Sequence, residues 1–176
     1  MKSAPAIAVG TVLFLVAYPA FAADIAGVVT EVRDGNSLII GGTRIHLFGI
    51  DAPALEQLCR ADAICEPGPS PCFPCGAWAR DKLAGLVLNK DVHCIDRGKF
   101  EDGISGDCTA GKILVGPWML TNGHAVLDRQ ALQPKDRATY IGAEASGKRA
   151  AMGMWSMTFI PPSDWRNKKL RLACER

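Results

Sequence analysis

The sequence predicts an α+β fold, a small β-barrel with helices packed on it. Short β-branched segments bounded by turn signals fill the first part of the chain, beginning at residues 25–32. Helical periodicity dominates the last part, most clearly from Tyr140 to Met154, where apolar and small residues recur at helical spacing. Strands followed by helices in this order are typical of α+β domains.

The N-terminal segment predicts export. Lys2 precedes an apolar run over residues 6–17, and a small-x-small cleavage sequence follows at residues 20–22. A transmembrane helix needs about 20 apolar residues, so this run is too short to span a bilayer. We interpret residues 1–22 as a signal peptide and residues 23–176 as one domain, exported to the periplasm or the medium and not bound to the membrane after cleavage.

The chain is nearly neutral and is not strongly basic. The sequence has 20 Lys and Arg against 18 Asp and Glu, a net charge of +2, and Lys2 belongs to the predicted signal peptide. A nearly neutral domain has no large field that would draw it onto nucleic acid.

The first strands are predicted from short apolar segments separated by turn residues. Residues 25–32 and 38–40 predict two strands separated by a turn at residues 34–36. Gly41-Gly42 suits a two-residue hairpin turn, because such turns need positive φ. Residues 44–48 then alternate, which places Arg44 and His46 on the same strand face.

The rest of the chain mixes both element types. Residues 58–74 contain four prolines and three cysteines and are predicted to form a loop. The elements predicted after this loop are a helix over 76–88, a strand over 91–96, a turn over 97–106, a strand through Cys108, a helix over 116–127 and a helix over 140–154.

Seven cysteines lie in the mature chain: Cys59, Cys65, Cys72, Cys75, Cys94, Cys108 and Cys174. In an exported protein they indicate disulfides, and the odd number leaves one over, for which Cys174 is the candidate. A Cys-Phe-Pro-Cys segment at Cys72 and Cys75 stands at a helix start, so thiol–disulfide exchange is an alternative, although no βαβ pattern surrounds it.

A series of motifs runs in order along nearly the whole mature chain. They are Asp34-Gly35-Asn36-Ser37-Leu38, the run from Ile45 to Pro53 with Gln57 and Cys59, Cys75-Gly76, Val92 with Cys94, Cys108, Tyr140, Glu144, Gly153-Met154-Trp155, Phe159, Pro162 and Trp165-Arg166. Together they resemble the exported bacterial branch of the thermonuclease, or staphylococcal-nuclease-like, family. The resemblance implies a five-stranded barrel of OB type with three helices.

The resemblance also implies disulfides between Cys59 and Cys75 and between Cys94 and Cys108. Cys65 and Cys72 are additional to that pattern, and we expect them to form a third bridge within the proline-rich loop.

The family's chemistry is calcium-dependent cleavage of DNA and RNA phosphodiesters. It requires carboxylates that hold a hard cation and a carboxylate that activates the attacking water. It also requires two arginines that clamp the phosphate as negative charge develops.

When the motifs of the family are matched to this sequence, most of these requirements are not met. Asp51 matches a metal-binding aspartate, but Asn36 stands at the second metal carboxylate and Ala54 at the water-activating glutamate. His46 replaces the first arginine, and Ile104 stands at the second. Loss of a phosphate clamp costs on the order of 10³ or more in rate, and loss of a general base about 10² to 10⁴.

Other side chains provide substitutes. Arg44 lies two residues before His46, and Glu56 lies two residues after Ala54. Asp34 is a further candidate metal ligand beside Asn36 and Asp51. In the alternative of an active nuclease, these groups form a remodelled calcium site for phosphodiester hydrolysis.

The leading prediction is a degenerate nuclease that acts as a binding or structural module. No cofactor is expected in that case. The ligand expected in its cleft is an oligonucleotide or an oligosaccharide, since barrels of this type bind both.

Overall fold

A computed structural model describes residues 24–61, 72–168 and 172. The predicted signal peptide, Cys65 and Cys174 lie outside the described residues. The strands are β1 (Ile25–Val32), β2 (Ser37–Ile40), β3 (Thr43–Leu47), β4 (Ile50–Asp51), β5 (Cys59–Arg60), β6 (Cys72–Phe73), β7 (Asp91–Phe100), β8 (Gly103–Ala110), β9 (Ile113–Leu114) and β10 (Val126–Leu127). The helices are α1 (Cys75–Val87), α2 (Val115–Thr121), α3 (Arg137–Arg149) and α4 (Pro162–Arg166), with a 3₁₀ turn at Gly153–Ser156.

Five strands close into the predicted barrel. Their order is β3-β2-β1-β7-β8, and a parallel pairing of β3 with β8 closes the ring, while β9 extends the edge of β8. Gly41 and Gly42 form the β2–β3 turn with φ values of 56° and 79°, as the hairpin requires. The α+β prediction is therefore confirmed.

The core lies inside the barrel and under the first helices. Val29, Leu38 and Ile45 are fully buried strand residues, and Leu83 of α1 and Met119 of α2 cover them. Each such side chain contributes about 1.5 to 3 kcal/mol through removal from water.

The turn predicted over residues 97–106 is wrong in extent. β7 continues to Phe100 and β8 begins at Gly103, so the segment is mostly a β-hairpin. A bulge between Asp96 and Gly98 turns the strand locally, and the side chain of Arg97 is held by distant carboxylates. Those contacts hold a polar, glycine-containing strand in place.

The two later helices are shorter than predicted. α2 ends at Thr121, because Gly123 adopts a φ of 65° and the chain then forms β10. α3 ends at Arg149, and Met154 lies in the following 3₁₀ turn instead of the helix. The sequence prediction also lacked α4, so the described residues contain four α-helices and not three.

Two of the predicted disulfides are confirmed, Cys59–Cys75 and Cys94–Cys108. Cys72 is also disulfide-bonded, but its predicted partner Cys65 lies outside the described residues. Since Cys75 is bonded to Cys59, the dithiol pair that the exchange alternative requires between Cys72 and Cys75 is not formed.

Among the helices within the described ranges, none has the length and apolar character that a bilayer crossing requires.

Candidate functional site

An open cleft of about 810 Å³ lies at the end of the barrel, between β3, the β7–β8 hairpin, the chain after β4, the chain after β10, and α4. The structure brings seven of the eight predicted site residues to its lining: Asp34, Asn36, Arg44, His46, Asp51, Ala54 and Glu56. The eighth, Ile104, is not part of the lining. It lies on β8 in register with Ile45 and packs on the core.

Asp51 is paired with a cation supplied by the chain itself. It ends the short strand β4, which pairs with β10, and its side chain is 15% exposed. Arg166 of α4 donates from Nη2 to Asp51 Oδ1 at 2.7 Å and from Nη1 to the carbonyl oxygen of Ala52 at 3.5 Å. Burial raises the pKa of Asp51 above its ordinary value, and the attraction of Arg166 offsets only part of that rise.

Asn36 joins two loops of the cleft. Its Oδ1 accepts a hydrogen bond from the backbone N–H of Ala52 at 2.6 Å, and its Nδ2 donates to the carbonyl oxygen of Ala52 at 3.3 Å. Asp34 supports the same turn, because its Oδ1 accepts bonds from Asn36 N at 2.7 Å and Ser37 Oγ at 2.9 Å. An amide suits this position, since a carboxylate has no N–H with which to bond a carbonyl.

Ala54 presents no functional group to the cleft. The N-terminus of α1 packs tightly against its backbone, and a Cβ at Gly76 would overlap the carbonyl oxygen of Ala54. Glu56, two residues later, is exposed and forms no ion pair or hydrogen bond within the described part of the chain. A general base at this wall of the cleft would have to come from Glu56.

His46 is held against an aromatic ring. It lies on β3 and stacks on Phe100, with ring centroids 3.9 Å apart and an interplanar angle of 11°. Burial lowers the pKa of His46, although Asp34 and Asp51 act in the opposite direction. At neutral pH this position therefore carries an uncharged imidazole instead of an arginine.

Arg44 is occupied by acidic residues of the hairpin turn. Its Nη1 lies 3.0 Å from Asp102 Oδ1 and 3.7 Å from Glu101 Oε2, and its side chain is 25% exposed. It lines the same cleft as His46, as the strand alternation predicts, but its charge is already compensated.

The residues present do not fit a calcium ion. Calcium takes six to eight oxygen ligands. Asp51 Oδ1 is bonded to a guanidinium and Asn36 Oδ1 to a backbone N–H. The described ranges contain no group of three or more His, Cys, Asp or Glu side chains arranged to hold a metal ion.

Two residues of the cleft were not predicted as site residues, Arg166 and Phe100. Arg166 lies 115 positions from Asp51 in the chain, so no local pattern connects them. The Trp165-Arg166 pair within the family motifs is the signal that points to this part of the chain, but it does not indicate a contact with Asp51. Phe100 lies in the segment predicted to be a turn, which concealed its place on a strand.

A closed mixed barrel with packed helices and a cleft at this position defines a nuclease-like fold. No family model matches the chain. It is 30% identical over 161 residues to the succinoglycan biosynthesis protein ExoI of Rhizobium meliloti, an alignment covering 88% of this chain and 78% of ExoI. It is also 25% identical over 166 residues to an uncharacterized endonuclease of Escherichia coli O157:H7, covering 90% and 95% of the two chains.

The chain therefore belongs to the staphylococcal-nuclease-like family that includes ExoI.

Proposed function

We propose that this protein is an exported nuclease-like domain that binds a ligand in its cleft without cleaving phosphodiesters. The observation that carries the proposal is the 2.7 Å contact between Arg166 Nη2 and Asp51 Oδ1. A tethered guanidinium compensates the charge of the one carboxylate that matches a metal ligand of the family. The two disulfides support an extracytoplasmic location.

The remaining positions support the same proposal. The cleft has Ala54 where a general base is needed and an uncharged His46 where a phosphate clamp is needed. Each of these losses reduces the rate of phosphodiester cleavage by orders of magnitude. Losses at residues that act together need not multiply, but either one alone is large.

The rival function is an active nuclease with a remodelled site. Its support is the name of the Escherichia coli relative, an endonuclease, and the fact that Asp34, Arg44, Asp51 and Glu56 line one cleft. Against it, Arg44 is ion-paired with Asp102, and Glu56 makes no hydrogen bond to Asp51.

The deciding experiment is a cleavage assay with the purified, disulfide-bonded mature chain. Single-stranded DNA, duplex DNA and RNA are incubated with millimolar calcium, magnesium or manganese, and in parallel with EDTA. We expect the same background cleavage in every condition, and we expect Asp51→Ala to leave that background unchanged. Asp81→Ala, which removes an exposed carboxylate outside the cleft, is the matched control.

Calcium-dependent cleavage that EDTA stops, and that Asp51→Ala but not Asp81→Ala abolishes, would refute the proposal. Addition of a commercial DNase to the finished reactions shows that the substrate and buffer permit cleavage.

A further inference from the structure

The arginines of the cleft are already paired with carboxylates. The closest pairs are Arg33 with Glu31 at 3.2 Å, Arg44 with Asp102 at 3.0 Å, Arg129 with Glu144 at 3.6 Å, and Arg166 with Asp51 at 2.7 Å. A strand of nucleic acid binds chiefly through Lys and Arg that exchange counterions for phosphates. It would have to compete with a carboxylate for each of these guanidinium groups.

Unpaired carboxylates make the lining still less suited to a polyanion. Asp34, Glu56 and Asp128 line the cleft, and none has a cationic partner among the residues that the structure describes. A phosphate entering the cleft would meet these charges at close range, and like-charge contacts oppose binding. The electrostatics of the lining therefore favour an uncharged ligand.

The rings of His46 and Phe100 stack on each other in the same cleft, and the outer face of the pair, which the partner ring does not cover, is a flat surface. They lie nearly parallel, with centroids 3.9 Å apart, and both line the cleft. The face of an aromatic ring is electron-rich and attracts the weakly positive C–H groups of an apolar partner. A sugar ring presents such C–H groups on one face, so it can stack on this surface without bringing any charge.

The ion pairs suit hydroxyl groups for a related reason. A hydroxyl donates one hydrogen bond and accepts others, so it can bond simultaneously to a guanidinium N–H and to a carboxylate oxygen. Arg166 and Asp51 present these two partners side by side. Asp34 uses Oδ1 to hold its own turn, and its Oδ2 has no partner within the described ranges.

We propose that this cleft binds an uncharged oligosaccharide, which stacks on the Phe100–His46 rings and bonds through its hydroxyls to the Asp51–Arg166 pair. The proposal rests on the proposed function, because a cleft that cleaves phosphodiesters must hold a polyanion. A volume of about 810 Å³ is within the range of sites that enclose a ligand of several rings.

The test starts from a glycan array of uncharged oligosaccharides probed with the mature chain. The strongest ligand is then titrated by calorimetry, and the single-stranded oligonucleotide dT8 is titrated beside it. We expect at least one uncharged oligosaccharide to bind and dT8 not to bind. Phe100→Leu, which keeps an apolar side chain but removes the flat ring, should weaken oligosaccharide binding at least about tenfold.

The matched control is Ile95→Ala on the same strand, since Ile95 is 45% exposed and lies outside the cleft lining. It should leave the affinity unchanged. Arg166→Gln is the second test variant, because Arg166 is 44% exposed and its loss should not impair folding. We expect it to weaken binding as Phe100→Leu does.

Three results would overturn the inference: no oligosaccharide is retained, dT8 binds with an affinity that Phe100→Leu reduces, or oligosaccharide binding is insensitive to both test variants. The cleavage assay on the same samples separates this inference from the proposed function. If the protein neither cleaves nucleic acid nor binds any sugar, only the oligosaccharide inference is rejected. If it cleaves nucleic acid in a metal-dependent way, the proposed function is rejected.

Discussion

The molecule has two arginine–aspartate clusters, one built on the β7–β8 hairpin and one in the cleft, and their surroundings differ. In the first, which we call the ionic core, Arg97 Nη2 lies 2.7 Å from Asp107 Oδ2 and 3.0 Å from Asp136 Oδ1, and Tyr140 donates its hydroxyl to Asp107 at 2.9 Å. In the second, Arg166 meets Asp51 in the open cleft. Every charged side chain of the ionic core is 10 to 14% exposed, whereas Arg166 is 44% exposed.

The difference separates charges that hold the fold from charges that are available to a ligand. The ionic core ties two barrel strands to the start of α3, and the Arg97 guanidinium also lies over the ring of Phe48 at 4.8 Å. None of its members lines the cleft. The Asp51–Arg166 pair connects the β4–β10 ladder to a five-residue helix. Asp51 is 15% exposed, but Arg166 is 44% exposed, so solvent or a ligand hydroxyl can reach its guanidinium.

The largest effect is expected from Arg97→Met. The substitution leaves Asp107 and Asp136, which are 14% and 10% exposed, without a cation, and removal of one partner of an ion pair shielded from water costs up to about 3 to 5 kcal/mol. Urea denaturation followed by circular dichroism measures the change in the free energy of unfolding. Arg80→Met, at an exposed pair on α1, is the control and should change it by less than about 0.5 kcal/mol.

A loss of less than about 1 kcal/mol in Arg97→Met would contradict the structural role assigned to the ionic core. The two clusters would then be energetically equivalent, and exposure would not distinguish them.

The histidines extend the comparison, since His46 lies in the cleft whereas His124 is enclosed between Trp78 and Trp118. His124 is 5% exposed, and its ring centroid lies 4.6 Å from that of Trp78 and 5.4 Å from that of Trp118. Its Nδ1 has no hydrogen-bond partner within the described part of the chain. Burial, with a smaller contribution from Lys82, lowers the pKa of His124 to about 4.

The folded state therefore favours neutral His124. Because this pKa lies below the value of about 6.5 in the unfolded chain, the associated stability is present above pH 6.5 and is lost as the pH falls toward 4. We expect the free energy of unfolding to fall by about 2 kcal/mol between pH 7 and pH 5 from this group. Urea titrations at both pH values measure it.

His124→Leu should abolish this part of the pH dependence, whereas His93→Gln, at a half-exposed histidine, should retain it. Tryptophan fluorescence gives an independent readout, because protonation of His124 places a cation beside two indole rings. An unchanged pH dependence in His124→Leu would show that the ring is not held neutral by its burial.

The barrel could be predicted because its signals are local. The alternation around Ile45 and Leu47 and the Gly41-Gly42 turn lie within a few residues of the structures they specify. The β7–β8 hairpin was missed because its determinants are distant: Arg97 is stabilised by partners 10 and 39 positions away. Without them the segment is polar and contains glycine, which is typical of a turn.

Prediction of the candidate site is limited in the same way, by contacts between residues that are distant in the chain. The family resemblance placed Asn36, His46, Asp51 and Ala54 together, and the structure brings all four to one cleft. The roles of Asn36 and Asp51 depend on contacts that no motif encodes. Asn36 bonds to the backbone of a residue 16 positions away, and Asp51 bonds to a side chain 115 positions away. Such pairings follow from the closed barrel and not from spacing in the chain.

The smallest effect is expected in the cleft, from Asp51→Asn. Because burial raises the pKa of Asp51, the folded state favours its protonated form. The stability that this group contributes is present below its pKa in the unfolded chain, near 4, and is lost as the pH rises through its pKa in the folded protein. A neutral amide at neutral pH should therefore leave the free energy of unfolding within about 0.5 kcal/mol of wild type, on the side of a gain. That gain should disappear near pH 3, where the wild-type carboxyl is itself protonated. Urea titrations at pH 7 and pH 3 measure both values. A loss of 2 kcal/mol or more at pH 7 would contradict the prediction. The Asp51–Arg166 pair would then be a structural element like the ionic core, which no ligand can displace without unfolding the cleft.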